Sequence, residues 1–162
     1  MAFIRISFFC IKNKSCEIKK LNKFKEGTIP KTKLAKDPKE KFPLCVQSAL
    51  DKKAKKLVVL KVAEISSFAD YFLICHGDSS RQVQGIARNI EEKLKKTGIA
   101  PLGIEGYQEG NWVLMDYGDV IIHIFQKPVR EFYDLERLWV DAPRLDVDEE
   151  KPITTLLDWW GS

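Results

Sequence analysis

Asp116-Tyr117-Gly118-Asp119-Val120-Ile121-Ile122-His123-Ile124-Phe125, followed by Arg130-Glu131-Phe132-Tyr133-Asp134-Leu135-Glu136-Arg137-Leu138-Trp139, decides the fold class. The first stretch reads as a tight turn feeding a strand that is apolar on both faces; the second reads as a short helix. A strand without a polar face belongs near the centre of an α/β sheet, covered above and below. Just upstream, Trp112-Val113-Leu114-Met115 reads as a strand that Tyr117-Gly118-Asp119 turns into the central one. A further strand spans Pro101 to Tyr107 and turns at Glu109-Gly110-Asn111.

Working back, Val83, Ile86, Ala87, Ile90 and Leu94 mark one face of a helix. Ser79 with Gln82 has capping-box spacing at its start, and Gly98 ends it. Leu57 to Val62 and Tyr71 to Cys75 are two strands whose link is too short for a helical crossover, so they should be antiparallel neighbours. Leu44, Val46, Gln47, Leu50 and Ala54 give a first helix, with Pro43 at its opening position. In the last helix, opened by Pro128, Phe132, Leu135, Leu138 and Trp139 form the expected inner stripe. The order predicts an α/β domain with a mixed five-stranded sheet flanked by helices, one right-handed crossover from strand two to strand three, and a meander after it.

At 162 residues and 44% apolar content the chain can build one real core. Charge divides it: residues 1–43 hold 12 Lys/Arg against 4 Asp/Glu, and residues 44–162 hold 15 against 19. The basic pI thus belongs to the front, and residues 1–42 read as a basic tail, disordered or processed, that could touch RNA weakly. The domain is expected over 43–142, with 143–162 a polar tail closing on Trp159-Trp160, an end that could pair two copies in a homodimer. A mildly acidic domain argues against a nucleic-acid surface spread over it. Phe3 to Ile11 is interrupted by Arg5 and lacks a cleavage site, so no secretory signal is expected. No apolar run approaches the roughly 20 residues of a membrane span, and no membrane partner is expected. A Lys-rich front departs from the Arg preference of organelle presequences, which favours the cytoplasm over an organelle matrix. It also fits an over-extended start of translation, although no Met lies between Met1 and Met115. Cys10, Cys16, Cys45 and Cys75 follow no metal or redox spacing and read as reduced thiols.

Candidates for chemistry are few. Cys75 and His76 are adjacent on a strand and point to opposite faces, so they form no nucleophile–base pair. With two His in the chain, neither near a carboxylate pair, no metal site and no cofactor are expected. Gly77, Ser79 and Asp119 support the alternative of a nucleotide-binding or nucleotidyltransferase-like enzyme. Asp116 and Asp119, however, splay across a turn instead of sharing a face. Trp112, at a strand start just after a turn, and Tyr133, beside Arg130 and Arg137, have the character of interface anchors.

From about Pro43 to Trp139 the chain resembles the Iojap family, the ribosomal silencing factors RsfS. The likeness rests on Ser67 to Cys75, Gly77 to Val83, Pro101 to Gly106, Trp112 to Phe125 and Arg130 to Trp139, in order. The resemblance implies a fold like that of nucleotidyltransferases without their catalytic carboxylates, and a factor that is no enzyme. It implies binding to the large ribosomal subunit through ribosomal protein L-fourteen, exclusion of the small subunit and repression of translation when nutrients are short. It places the partner-facing surface on Trp112, Asp116, Tyr117, Arg130, Phe132 and Tyr133.

Overall fold

A computed structural model describes residues 38–161; residues 1–37 of the basic tail expected over 1–42 lie outside the described residues. The chain runs α1 (Pro38–Leu50), β1 (Lys55–Lys61), β2 (Tyr71–Gly77), α2 (Ser80–Lys96), β3 (Gly103–Glu105), β4 (Trp112–Asp116), β5 (Val120–Gln126), α3 (Lys127–Tyr133), α4 (Leu135–Leu138), β6 (Arg144–Asp146) and α5 (Pro152–Gly161). The strands form one sheet in the order β3-β4-β5-β2-β1-β6. Only β2 and β5 pair in parallel, from Tyr71↔Val120 to Gly77↔Gln126; every other neighbouring pair is antiparallel. The apolar run Val120–Phe125 is central, as its composition requires.

The sheet has six strands where the sequence pattern predicts five. The sixth comes from the segment read as a C-terminal tail: Arg144, Leu145 and Asp146 pair with Leu60, Val59 and Val58. Three residues with charged ends carry no period of their own, so their pairing depends on the edge that β1 offers. The same segment supplies α5, whose Leu156 is buried and whose Trp160 ring meets Phe42 edge-on at 5.6 Å. At the other end α1 begins at Pro38 and not at Pro43, which falls inside the helix. Phe42 and Lys41, read as tail, are buried, and the Lys41 ammonium donates to the Asp119 carboxylate at 2.5 Å. That partner lies 78 residues away, beyond any local pattern.

Period-two alternation sends Val59, Leu73, Cys75, Val113, Met115, Ile122 and Ile124 to one face of the sheet. There they meet Phe42, Cys45, Val46 and Ala49 of α1 and the buried stripe Val83, Ile86, Ala87, Ile90 and Leu94 of α2. Each such large side chain gains about 1.5–3 kcal/mol on leaving water. Both ends of α2 are chemically fixed. Ser79 Oγ accepts the Gln82 N–H at 3.2 Å, while Gln82 Oε1 accepts the Asp78 N–H at 2.8 Å. At the far end Gly98, at φ +82°, lets its own N–H reach the Lys95 carbonyl and the Ile99 N–H reach the Leu94 carbonyl. The crossover through α2 carries the chain to the sheet edge at β3, and the meander β3-β4-β5 returns beside β2.

The last helix departs most from expectation. Asp134 sits in the left-handed region at φ 44°, ψ 56°, and splits the predicted helix into α3 and α4. The helical phase is lost there, so Phe132 leaves the inner stripe and stands 80% exposed, while Leu135 stays buried. The residue that α3 buries is Arg130.

Candidate functional site

The second face of the sheet carries Phe72, Ile74 and His76 from β2, Ile121, His123 and Phe125 from β5, and Trp112, Leu114 and Asp116 from β4, by strand alternation and cross-strand register. Helices α3 and α4 cover it only in part. Across it runs a chain of rings. Phe132 meets Tyr133 at 5.0 Å, Tyr133 meets Trp112 at 5.3 Å, and Trp112 stacks on Phe125 at 4.8 Å. Trp112 Nε1–H also donates to His123 Nδ1 at 3.2 Å. His123 meets Phe72 edge-on at 5.1 Å, Phe72 meets Trp139 at 5.1 Å, and Trp139 meets Phe68 at 6.4 Å. The two ends stand in solvent, Phe132 at 80% and Phe68 at 47% exposure, with Ile65 and Val140 also exposed. Phe72, His123 and Phe125 in the middle are buried, whereas Trp112, Tyr133 and Trp139 are half-buried. End rings held by such neighbours lose little entropy when a partner covers them, which suits an interface.

Of the six residues assigned to the partner surface, the structure brings Trp112, Tyr133 and Phe132 together. Asp116 lies on the same face at the other end of β4, its carboxylate accepting the Gly118 N–H at 2.8 Å; burial raises its pKa. Two do not belong to the surface. Tyr117 is 5% exposed and sits in the core on the helix-covered side. Arg130 is 8% exposed: its guanidinium donates to Glu136 Oε1 at 2.9 and 2.5 Å, to the Lys56 carbonyl at 2.8 Å and to His76 Nδ1 at 2.9 Å. Arg130 thus ties α3 and α4 to the sheet. A β-bulge before Val58, with Lys56 at φ 46°, marks where the Lys56 carbonyl meets it. Phe68, Leu114 and Trp139 were not assigned to the partner surface from sequence, Trp139 being expected in the inner stripe of the last helix; alternation along β4 from Trp112 would have shown Leu114.

His123 is enclosed, and burial pushes its pKa down to about 3. With Nδ1 accepting from Trp112, the imidazole is neutral, its proton on Nε2. Its folded pKa lies below the unfolded value near 6.5, so its contribution to stability is complete above about pH 6.5. It is lost as pH falls toward about 3. His76 is shifted down as well, by burial first and then by the Arg130 charge, and acts in the same direction. Chemical denaturation should therefore show stability dropping by about 1 kcal/mol per pH unit on account of His123 as pH falls from about 6.5 toward about 3, and a shallower slope in His123→Gln.

The enzyme alternative finds no assembled centre. Cys75 lies in the helix-side core, its thiol pushed up to about 12 by burial, while His76 faces the other way. Gly77 and Ser79 follow the end of β2, whereas Asp119 precedes β5, which runs parallel to it; they sit at opposite ends of the pair, roughly 20 Å apart. Asp119 is engaged by Lys41, and the Gln82 side chain packs where a Cβ on Gly77 would point. Among the described residues no group of three or more His, Cys, Asp or Glu could hold a metal ion, and no helix is long and apolar enough to cross a membrane.

The family model described as "Ribosomal silencing factor during starvation", RsfS, matches residues 35–157. The chain belongs to the RsfS family. Ribosomal silencing factor RsfS of Bacillus subtilis is 50% identical over 98 residues, covering 60% of this chain and 83% of that protein. The protein of the same name from Halalkalibacterium halodurans is 45% identical over 109 residues, covering 67% and 93%. A crystal structure from Bacillus halodurans superposes with a TM-score of 0.60 at 42% identity, covering 67% of this chain and 98% of that one. RsfS proteins are ribosome regulators and not enzymes. The family match reaches into α5, past the point where the sequence pattern alone ended the likeness.

Proposed function

We propose that this RsfS-family chain binds the large ribosomal subunit through ribosomal protein L-fourteen, bars the small subunit from joining and so represses translation in the cytoplasm. The observation that carries the reading is the half-open aromatic face, with Trp112, Tyr133 and Phe132 at one end and Phe68 at the other. Occupancy is the whole mechanism: a rigid domain that buries about 1,600 Å² in total on the large subunit needs no chemistry to exclude a second body from that place. The packed rings, and the Arg130 clamp under α3, keep the surface in shape before the partner arrives.

The test mixes the purified protein with isolated large subunits, adds small subunits and reads a density gradient. Loss of joined ribosomes, with the protein migrating on the large subunit, is the expected outcome. Normal joining without co-migration would sink the proposal.

A further inference from the structure

We infer that the end of the sheet next to the aromatic face is a second, electrostatic contact surface, which takes the phosphate backbone of RNA; this rests on the large-subunit reading above. Lys52 and Lys53 lie in the link after α1, Lys55 and Lys56 open β1, Arg81 stands in the first turn of α2, and Lys127 opens α3; all six are exposed. The fold gathers them. Gln82 Nε2 donates to the Lys52 and Lys53 carbonyls at 3.1 and 2.9 Å, which holds the lysine run against the start of α2. Arg130 fixes the Lys56 carbonyl at 2.8 Å, which holds the run's other end against α3. Lys56 and Lys127 share the wall of a cleft of about 470 Å³ floored by His76.

Of the six cations only Lys55 has an ion pair among the described residues, with Asp78 at 2.6 Å. The cleft itself is mixed in charge, because Glu131, Asp134 and Glu149 stand on its walls and Arg130 is taken by Glu136. It is therefore the basic lip, not the cleft, that suits an anion. Residues 44–162 carry 19 acidic against 15 basic residues, so this concentration runs against the character of the domain.

Flexible lysines neutralise phosphates without reading bases. None of the exposed large apolar residues (Ile65, Phe68, Leu102, Phe132, Val140, Leu157) belongs to the arc, which separates it in kind from the aromatic face. Yet the two adjoin: α3 carries Lys127 at its start and Phe132 and Tyr133 at its end. A particle seated on those rings extends over the arc.

The test uses the full chain with its basic front intact, comparing wild type with the triple variant Lys52→Glu, Lys53→Glu, Lys127→Glu. Binding is measured between about 50 and 200 mM salt, against large subunits and against protein-stripped ribosomal RNA from them. The expected result is at least tenfold weaker binding at the low-salt end and a log–log salt slope shallower by about 2, on both targets, with an unchanged melting temperature. The corresponding Lys→Gln triple should flatten the slope equally. Unchanged slope and affinity would overturn the inference, as would an effect on subunits that is absent on bare RNA. Phe132→Ala serves as the control: if it weakens subunit binding while the lysine variants do not, the docking face stands and the RNA surface falls. If wild type fails to bind subunits at all, the docking face falls, and the bare-RNA slopes still decide the arc.

Discussion

Phe132→Ala should weaken binding to the large subunit by about 2 kcal/mol, roughly thirtyfold, while leaving folding stability within about 0.5 kcal/mol of wild type. The separation follows from geometry. The Phe132 ring is 80% exposed and leans edge-on against Tyr133 at 5.0 Å, so the free protein loses almost nothing with it. A partner that covers the ring loses a preorganised apolar anchor. Trp112→Ala should cost similar affinity but also stability, because Trp112 stacks on Phe125 and donates to His123. A sedimentation titration of both variants beside their denaturation curves separates the two effects. Thirtyfold weaker binding by a fully stable Phe132→Ala would identify the anchor; undiminished binding would move the partner surface off α3.

Glu136→Ala should lower folding stability by about 3–5 kcal/mol, the largest loss we expect from a single surface-adjacent substitution. Arg130 and Glu136 are a nearly buried pair, their side chains 9% and 13% exposed. Removing the carboxylate leaves a nearly buried guanidinium with the Lys56 carbonyl and His76 Nδ1 as its remaining hydrogen-bond partners. Because the pair ties the α3–α4 segment to the sheet, the variant should also loosen Phe132 and Tyr133 and weaken subunit binding in step. The double variant Arg130→Met, Glu136→Leu removes both charges and should regain part of the loss, but not all, since the Lys56 carbonyl keeps no donor from Arg130. Urea denaturation of the single and double variants decides this. A Glu136→Ala protein as stable as wild type would show that the pair contributes no more than an ordinary surface salt bridge.

Much of the architecture was legible because it is written in short-range periods. Val83 to Leu94 repeats at helical spacing and Val120 to Phe125 is apolar throughout, so α2 and the central strand followed from neighbours three to six residues apart. Caps were equally local: Ser79 and Gly98 act where they were placed. Trp112 and Tyr133 were picked out as large rings at element ends, and the structure sets them 5.3 Å apart.

Elements that depend on a distant partner were not legible. Strand β6 exists because β1 has a free edge, and the start of α1 is held by Lys41 reaching Asp119. Tyr117 and Arg130 are buried for different reasons: Arg130 goes in with partners from His76, Lys56 and Glu136, whereas the Tyr117 ring joins the apolar core, its hydroxyl without a hydrogen-bond partner among the described residues. Placing Phe132 in the inner stripe failed in the opposite sense, since one residue at positive φ, Asp134, reset the phase of the helix.

By itself the sequence determined the α/β class, the order of the main elements, the central strand and the family, because these rest on hydrophobic period, turn chemistry and contiguous motifs. Only the tertiary structure decided which rings form one open face, which charges are buried as clamps, and that lysines 52–56, Arg81 and Lys127 share one end of the sheet. Those properties arise from contacts between segments far apart in the chain, and the energy of such a contact appears only when both halves are in place.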